Sequence, residues 1–358
     1  MVEGKLTIRQ IAKLAGVSRS TVSRVINDHP NVNPGTREQV LQVVAETGFR
    51  PDPIARSLSS RRADIIGLVI PLAIRSLFED PFFPRLMQGI SEGCNAHDYT
   101  LSLFLFHSEE EEKKLHDRIS HSRLVDGFVV TATRTGDPLI PQLIANQIPF
   151  VVHGRHEDPQ VSFVEVDNVT GAYNAVSHLV RLGRQRIALI TGPSSSLAAE
   201  DRKQGYLKAL QERRVKVDKA LIARGDFTET SSYEAMQRLI PMGPDAVFVA
   251  SDTMALGALR ALRQAGKRVP EDVAIVGFDD MPQAEMTNPP LTTVRQPIRR
   301  AGALAVETLI DILENGPEPA RRIILPTELV IRASCGSGLV GWRNSHGKGR
   351  EGKDLARR

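Results

Sequence analysis

The sequence predicts an α/β chain in which a small helical module precedes two subdomains built on Rossmann-like parallel sheets. Three observations predict it. Apolar residues recur at helical spacing between Thr7 and Gly48, and from Asp64 onward short apolar runs alternate with amphipathic stretches. At 358 residues the chain also exceeds what one hydrophobic core usually serves, so two or three domains are expected.

Thr7 with Gln10 three residues later makes a capping box, and Ile8, Ile11, Ala12 and Ala15 follow at helical spacing. Gly16 suits a turn that needs positive φ, and Ser18 is a good N-cap, so a second helix starts near Arg19. Its apolar stripe is Val22, Val25 and Ile26; the opposite face carries Arg19, Ser20, Ser23, Arg24 and Asn27. A helix presenting two arginines and short hydrogen-bonding side chains suits the major groove, where Arg pairs with guanine O6 and N7. Taken alone, a solvated amphipathic helix explains the pattern equally well. Asn33 and Pro34 open a third helix, Gly48 closes it, and Val40, Leu41, Val44 and Ala45 form its expected buried stripe.

Residues 50–62, RPDPIARSLSSRR, have a composition odd for a linker. Pro51 and Pro53 stop helix propagation from upstream, while IARSL is long enough for little more than a turn and would order only against a partner. Leu58, flanked by serines, has no evident core to enter. It suits a wedge between minor-groove base steps with Arg56, Arg61 and Arg62 near phosphate, or else an exposed leucine on a flexible tether.

From Asp64 the expected strands are 65–70, 100–106, 126–132 and 149–153, then a second series at 186–191, 220–225, 245–250 and 273–278. Helices fill the gaps, among them 83–97 and 109–120. Alternation of this kind implies parallel sheets covered on both faces, and two series imply two subdomains. Ligands of such sheets sit beyond the carboxyl ends of the strands. Those loops hold Asp80, Phe82, Phe83, His153, Gly154 and Arg155 in the first series. In the second they hold 194–196 with Arg202, then Asp226, Phe227, Ser251, Asp252, Asp279 and Asp280. Carboxylates and arginines give directional hydrogen bonds and Phe rings a flat apolar face, a combination suited to a sugar. Each residue singly reads as a loop or cap residue, with Asp252 a candidate N-cap.

Composition narrows the classes. The net charge is +4, but residues 1–62 hold ten Lys and Arg against five Asp and Glu, leaving −1 on the rest. The positive field belongs to the N-terminal piece, as phosphate binding requires. No run of about 18 apolar residues occurs and MVEGKLTIRQ lacks a signal-peptide core, so a cytoplasmic chain with no membrane span is expected. Cys94 and Cys335 match no metal or redox spacing, and neither disulfide, metal nor cofactor is expected. His153, His156, Glu157 and Asp158 sit in a loop without helical register and read as solvated polar residues. Asp279 and Asp280 are adjacent rather than facing, poor geometry for an acid–base pair, and ITGPSSS lacks the lysine of a phosphate-binding loop. An enzyme is disfavoured, and a solute-binding transport protein is the strongest competitor.

TIRQIAKLAGVSRSTVSRVIN, NVNPGTREQV, GFRPDPIARSLSSRR, DPFF, RIALITGP, DRKQGY, SDTMALGALRAL, VGFDD and PPLTTVRQP occur in an order and spacing that resemble the LacI/GalR family of bacterial transcription regulators. The resemblance covers residues 7 to about 334. It implies a helix-turn-helix DNA-binding domain over 1–49 and a hinge over 50–63. A periplasmic-binding-protein-like effector and dimerisation domain of two subdomains would follow over 64–335. Residues 336–358 extend past the family's expected end and, with Arg343, Lys348, Arg350, Lys353, Arg357 and Arg358 against Glu351 and Asp354, read as a basic, disordered tail. The resemblance further implies a repressor that binds a palindromic operator in double-stranded DNA as a homodimer or tetramer, under control of a small-molecule effector, preferably a sugar. Carried over by position, Arg19, Ser20 and Arg24 read bases, Thr7, Ser18, Ser23 and Asn27 hold phosphates, and Leu58 is the wedge beside Arg56. Effector contacts fall on Phe82, Phe83, Arg155, Arg202, Phe227, Ser251 and Asp279. Two positions depart from the pattern: Asp52 stands where Asn is frequent, and Gly154 where Asp is frequent, which brings His153 forward as a contact.

Overall fold

A computed structural model describes residues 6–26, 29–49, 62–73, 80–106, 108–120, 124–131 and 135–338. Asn27, Arg56, Leu58, the rest of 50–61 and the tail from 339 lie outside the described residues. The chain divides into two compact units at Asp64/Ile65.

The N-terminal unit is three helices, α1 (Ile8–Leu14), α2 (Arg19–Ile26) and α3 (Pro34–Thr47). The reciprocal Thr7–Gln10 capping box starts α1, and the Asn33 side chain accepts from the Gly35 amide to start α3. Gly16 at φ +62° makes the turn into α2, and Gly48 at φ +61° ends α3. Ile11, Ala12, Ala15, Val22, Val25, Val40 and Phe49 form the core. The expected stripe of α3 is only partly right. Leu41 and Ala45 are exposed, because Phe49 closes the core from beyond the helix and Val43 joins the expected Val44 in packing against it.

The second unit contains two six-stranded sheets. Lobe 1 uses β1 (Ile65–Ala73), β2 (Thr100–Phe106), β3 (Gly127–Thr131), β4 (Phe150–His153), β5 (Phe163–Val166) and β11 (Arg322–Leu325), in the order β11-β5-β4-β3-β1-β2. Lobe 2 uses β6 (Ile187–Thr191), β7 (Ile222–Arg224), β8 (Ala246–Val249), β9 (Ala274–Asp279), β10 (Thr292–Arg295) and β12 (Glu328–Val330), ordered β12-β10-β9-β8-β6-β7. Every pairing is parallel except that of β10 with β12. β3, β6, β8 and β9 are buried along their whole length, as strands covered on both faces must be.

Helices cover each sheet twice. In lobe 1, α4 (Phe82–Ala96) and α12 (Ile298–Asn315) cover one face around Leu86, Ile90, Ala305 and Leu309. On the other face are α5 (Glu109–Ser120) and α6 (Leu139–Ala145), around Ile119, Phe128 and Leu143. In lobe 2, α7 (Asn168–Arg181) and α8 (Leu197–Glu212) lie on one face and α9 (Glu229–Leu239) with α10 (Asp252–Gln264) on the other. A short α11 (Pro282–Met286) follows β9.

The lobes are not two consecutive halves of the chain, as the two series suggested. The chain passes from lobe 1 to lobe 2 after β5, back at Gln296 into α12, and over again between β11 and β12. The late strands β10, β11 and β12 were not expected from sequence, and neither was β5. At three or four residues with polar side chains interspersed, they carry too weak a pattern to be read locally.

Candidate functional site

In the N-terminal unit the two-helix corner presents Thr7, Ser18, Arg19, Ser20 and Arg24 on its exposed side, with Ser23 half-buried. The Ser18 hydroxyl caps α2 by accepting from the Thr21 amide at 3.1 Å, and it also pairs with the Ser20 hydroxyl at 2.7 Å. Burial of Val22 and Val25 holds α2 by its apolar stripe, so Arg19, Ser20 and Arg24 all face outward.

In the second unit the strand ends of both lobes face one cavity of about 760 Å³. Phe82, Phe83, His153, Arg155, Arg202, Phe227, Ser251 and Asp279 all line it. Their roles differ. Phe83 belongs mainly to the lobe 1 core and meets Phe82 edge-on at 5.3 Å between ring centroids. His153 lies 3.2 Å from the Thr131 hydroxyl, and burial depresses its pKa to about 4, so it is neutral at pH 7. Phe227 sits at φ +69° with its ring against Gly192, where an added Cβ would come within 2.4 Å of the ring. Glycine there leaves room for the end of the ring. The Ser251 hydroxyl caps α10 by accepting from the Met254 amide at 3.2 Å. Asp252 is therefore not the cap: its buried carboxylate accepts from the Thr293 hydroxyl at 2.6 Å and the Met281 amide at 2.8 Å.

Arg202 is the centre of the polar network. Its guanidinium is buried, stacks 3.8 Å from the centroid of Phe278, and donates to the Ala250 carbonyl at 2.5 Å and the Asn168 side chain at 2.8 Å. It also meets the buried Asp279 carboxylate at 3.4 Å. Gln296 donates to the same Asp279 oxygen. Burial raises the Asp279 pKa against the opposing pull of Arg202. Asn168 and Gln296, neither expected from sequence, stand where the chain crosses between the lobes. The Arg202–Asp279 pair is thus bonded to two of the three crossings.

Further acidic groups complete the wall. Glu165 is buried, accepts from the Asn168 amide at 3.0 Å, and has its pKa pushed up to about 7 by burial and then by the charge of Asp201. Asp80 accepts from the Phe82 amide and the Thr253 hydroxyl, and burial raises its pKa. Among the described residues the lining holds six carboxylates, on Asp80, Glu165, Asp226, Glu229, Asp252 and Asp279, and two guanidiniums, on Arg155 and Arg202. Both guanidiniums are already ion-paired, Arg155 with Asp201 and Arg202 with Asp279.

Comparison with known proteins places both units. Residues 7–52 match the model of bacterial regulatory proteins of the lacI family, and residues 176–335 match a periplasmic binding protein-like domain. The HTH-type transcriptional regulator CelR of Thermobifida fusca is 38% identical over 333 residues, which is 92% of this chain and 98% of that protein. The chain belongs to the LacI family. AglR of Rhizobium meliloti is 38% identical over 92% of the chain and 94% of that protein, and the ribose operon repressor of Halalkalibacterium halodurans is 35% identical over 93% and 98%. Among solved structures, a CelR–cellobiose complex matches with a TM-score of 0.74 at 37% identity, covering 92% of this chain and 99% of that one. The lac repressor dimer bound to operator matches with a TM-score of 0.80 at 28% identity, over 93% and 99%. This LacI-family protein is therefore a DNA-binding transcriptional regulator. Transport and enzymatic readings give way to that assignment. Among the described residues no helix is long and apolar enough to cross a membrane.

Proposed function

We propose that this LacI-family regulator is a repressor that binds a near-palindromic operator as a homodimer and is controlled by a neutral carbohydrate in the cleft between its lobes. The observation that carries the effector class is that both guanidiniums in the cavity wall are already paired. Two aromatic faces, Phe82 and Phe227, stand among many hydrogen-bonding groups, while neither guanidinium is left uncommitted. A phosphorylated or carboxylated ligand would meet a wall rich in carboxyl groups and would have to break an existing ion pair to find a cation. Neutral hydroxyls can instead donate to carboxylates while an apolar ring face stacks on Phe. The volume of about 760 Å³ holds roughly 25 waters at about 30 Å³ each, which accommodates two joined sugar rings. The relative of known structure with cellobiose bound supports that size.

On the DNA side, Arg19, Ser20 and Arg24 read base edges in the major groove and Thr7, Ser18, Ser23 and Asn27 hold phosphates. Leu58 opens a minor-groove step with Arg56 near the backbone. The test is a thermal-shift and titration panel of neutral disaccharides including cellobiose, monosaccharides, sugar phosphates and purines, followed by gel shifts on selected inverted repeats. Stabilisation by a neutral sugar, with loss or gain of the shifted band, is the expected result. Response to a sugar phosphate or purine alone would overturn the effector class, and equal affinity for inverted repeats and random duplex would overturn the operator reading.

A further inference from the structure

Asp201 sits on α8, whose first turn begins at the Ser196 cap, and its neighbour Arg202 points into lobe 2 toward Ala250 and Phe278. Consecutive helical residues diverge by about 100°. Asp201 accordingly faces the other way, across the cleft. There it accepts from both the Nε and Nη2 of Arg155, at 3.0 and 2.9 Å, a fork-to-fork pair with a residue of lobe 1. Among the described residues this is the one bidentate ion pair that spans the cleft. Other hydrogen bonds across the cleft involve no ion pair: Thr253 to Asp80 at 3.3 Å, Arg85 to the Asp280 carbonyl at 3.2 Å, and the Thr135 amide and hydroxyl to the Ser195 carbonyl at 3.0 and 3.4 Å.

We infer that Asp201 is a positioning residue for the effector site: it aims the Arg155 guanidinium along the cavity wall and, through it, holds the two lobes closed. An ordinary surface pair would contribute little. This one differs in that its geometry is bidentate, the Asp201 side chain is only 11% exposed, and Glu165 lies close enough to repel an Asp201 left without its cation. Two adjacent side chains of a single helical turn thereby tie one lobe each. Arg202 fixes α8 to lobe 2 and to the crossings, and Asp201 fixes it to lobe 1. The closure role holds whatever the effector is, while the positioning role rests on the carbohydrate reading above.

The experiment uses the full chain with spin labels at L124C on lobe 1 and M242C on lobe 2, both exposed positions, the native Cys94 and Cys335 being buried. Double electron–electron resonance on ligand-free protein should give a narrow distance distribution. D201A should broaden it or shift it to longer distance, and the charge-exchanged R155D/D201R should return it toward the original. R155K, which keeps the charge but loses the fork, should broaden it as well and serves if D201A does not fold. A D201A or R155K distribution superimposable on the original would overturn the closure role. Cellobiose affinity should fall roughly 5- to 150-fold in D201A, the usual span of a coupling between sites, and recover in D201E. Unchanged affinity would overturn the positioning role. If the unmodified protein does not bind cellobiose, the failure belongs to the proposed effector, and the ligand-free distances still decide the fate of Asp201.

Discussion

Glu165→Gln isolates the energetic cost of holding a carboxylate in the cavity wall. Glu165 is 5% exposed, and burial together with the charge of Asp201 lifts its pKa from 4.5 to about 7. At about 1.36 kcal/mol per unit of pH, that displacement is worth about 3 kcal/mol. The sign follows from proton binding. Between pH 4.5 and 7 the folded protein holds the Glu165 proton and the unfolded chain has released it, so stability falls as pH rises through this window and then levels off. The contribution is fully present below pH 4.5 and absent above about 7. Glutamine keeps the oxygen that accepts from Asn168 but never ionises. Urea unfolding of the larger unit, followed by circular dichroism from pH 4.5 to 8, should therefore show the two proteins equal at the acid end. At pH 8 the variant should be the more stable by about 3 kcal/mol. A difference that does not change with pH would refute the argument, since it would mean that Glu165 titrates alike in both states.

Arg202→Leu should destabilise the larger unit by about 3–5 kcal/mol, the cost of leaving Asp279 buried without its cation, and adding Asp279→Asn should recover part of that loss. A loss under about 0.5 kcal/mol, as at a surface site, would show the pair to be dispensable. Val22→Ala removes buried apolar volume from a three-helix core that has little to spare, about 2 kcal/mol. Operator binding in gel shifts should collapse while the thermal shift induced by effector persists; loss of both would contradict independent units. Arg24→Ala should weaken specific binding by about 1–3 kcal/mol and relax base preference at one position, measured on a selected duplex against its single-base variants. Undiminished discrimination would remove Arg24 from the base-reading set.

Where a feature is enforced by neighbours in sequence, it was legible in the sequence. Thr7 with Gln10, Gly16, Asn33 with Pro34, and Gly48 act over three or four residues, and each cap and turn is found where those residues place it. Predominantly apolar runs gave away β1, β2, β3, β4, β6, β8 and β9 for the same reason. Leu41 shows the limit. Helical period alone puts it beside Val40, but the core it would join is closed by Phe49, a residue whose position depends on the chain turning back at Gly48. β5, β10, β11 and β12 show the limit again, because a four-residue strand such as RIIL pairs with β5 rather than with its neighbours in sequence.

The cavity divides along the same line. Residues in loops after recognisable strands could be named, whereas Asn168 and Gln296 could not, since each becomes part of the site only because the chain crosses between lobes there. Their place on the crossings matters mechanistically. Arg202 and Asp279 do not bond only to one another; each also bonds to a side chain on a crossing segment. Any ligand that competes for either charge must therefore alter the hydrogen bonding of the crossings, and with it the relative freedom of the lobes. In a two-lobed regulator of this kind, recognition and closure draw on a single set of bonds, so a ligand acts through its differential affinity for the two arrangements of that set.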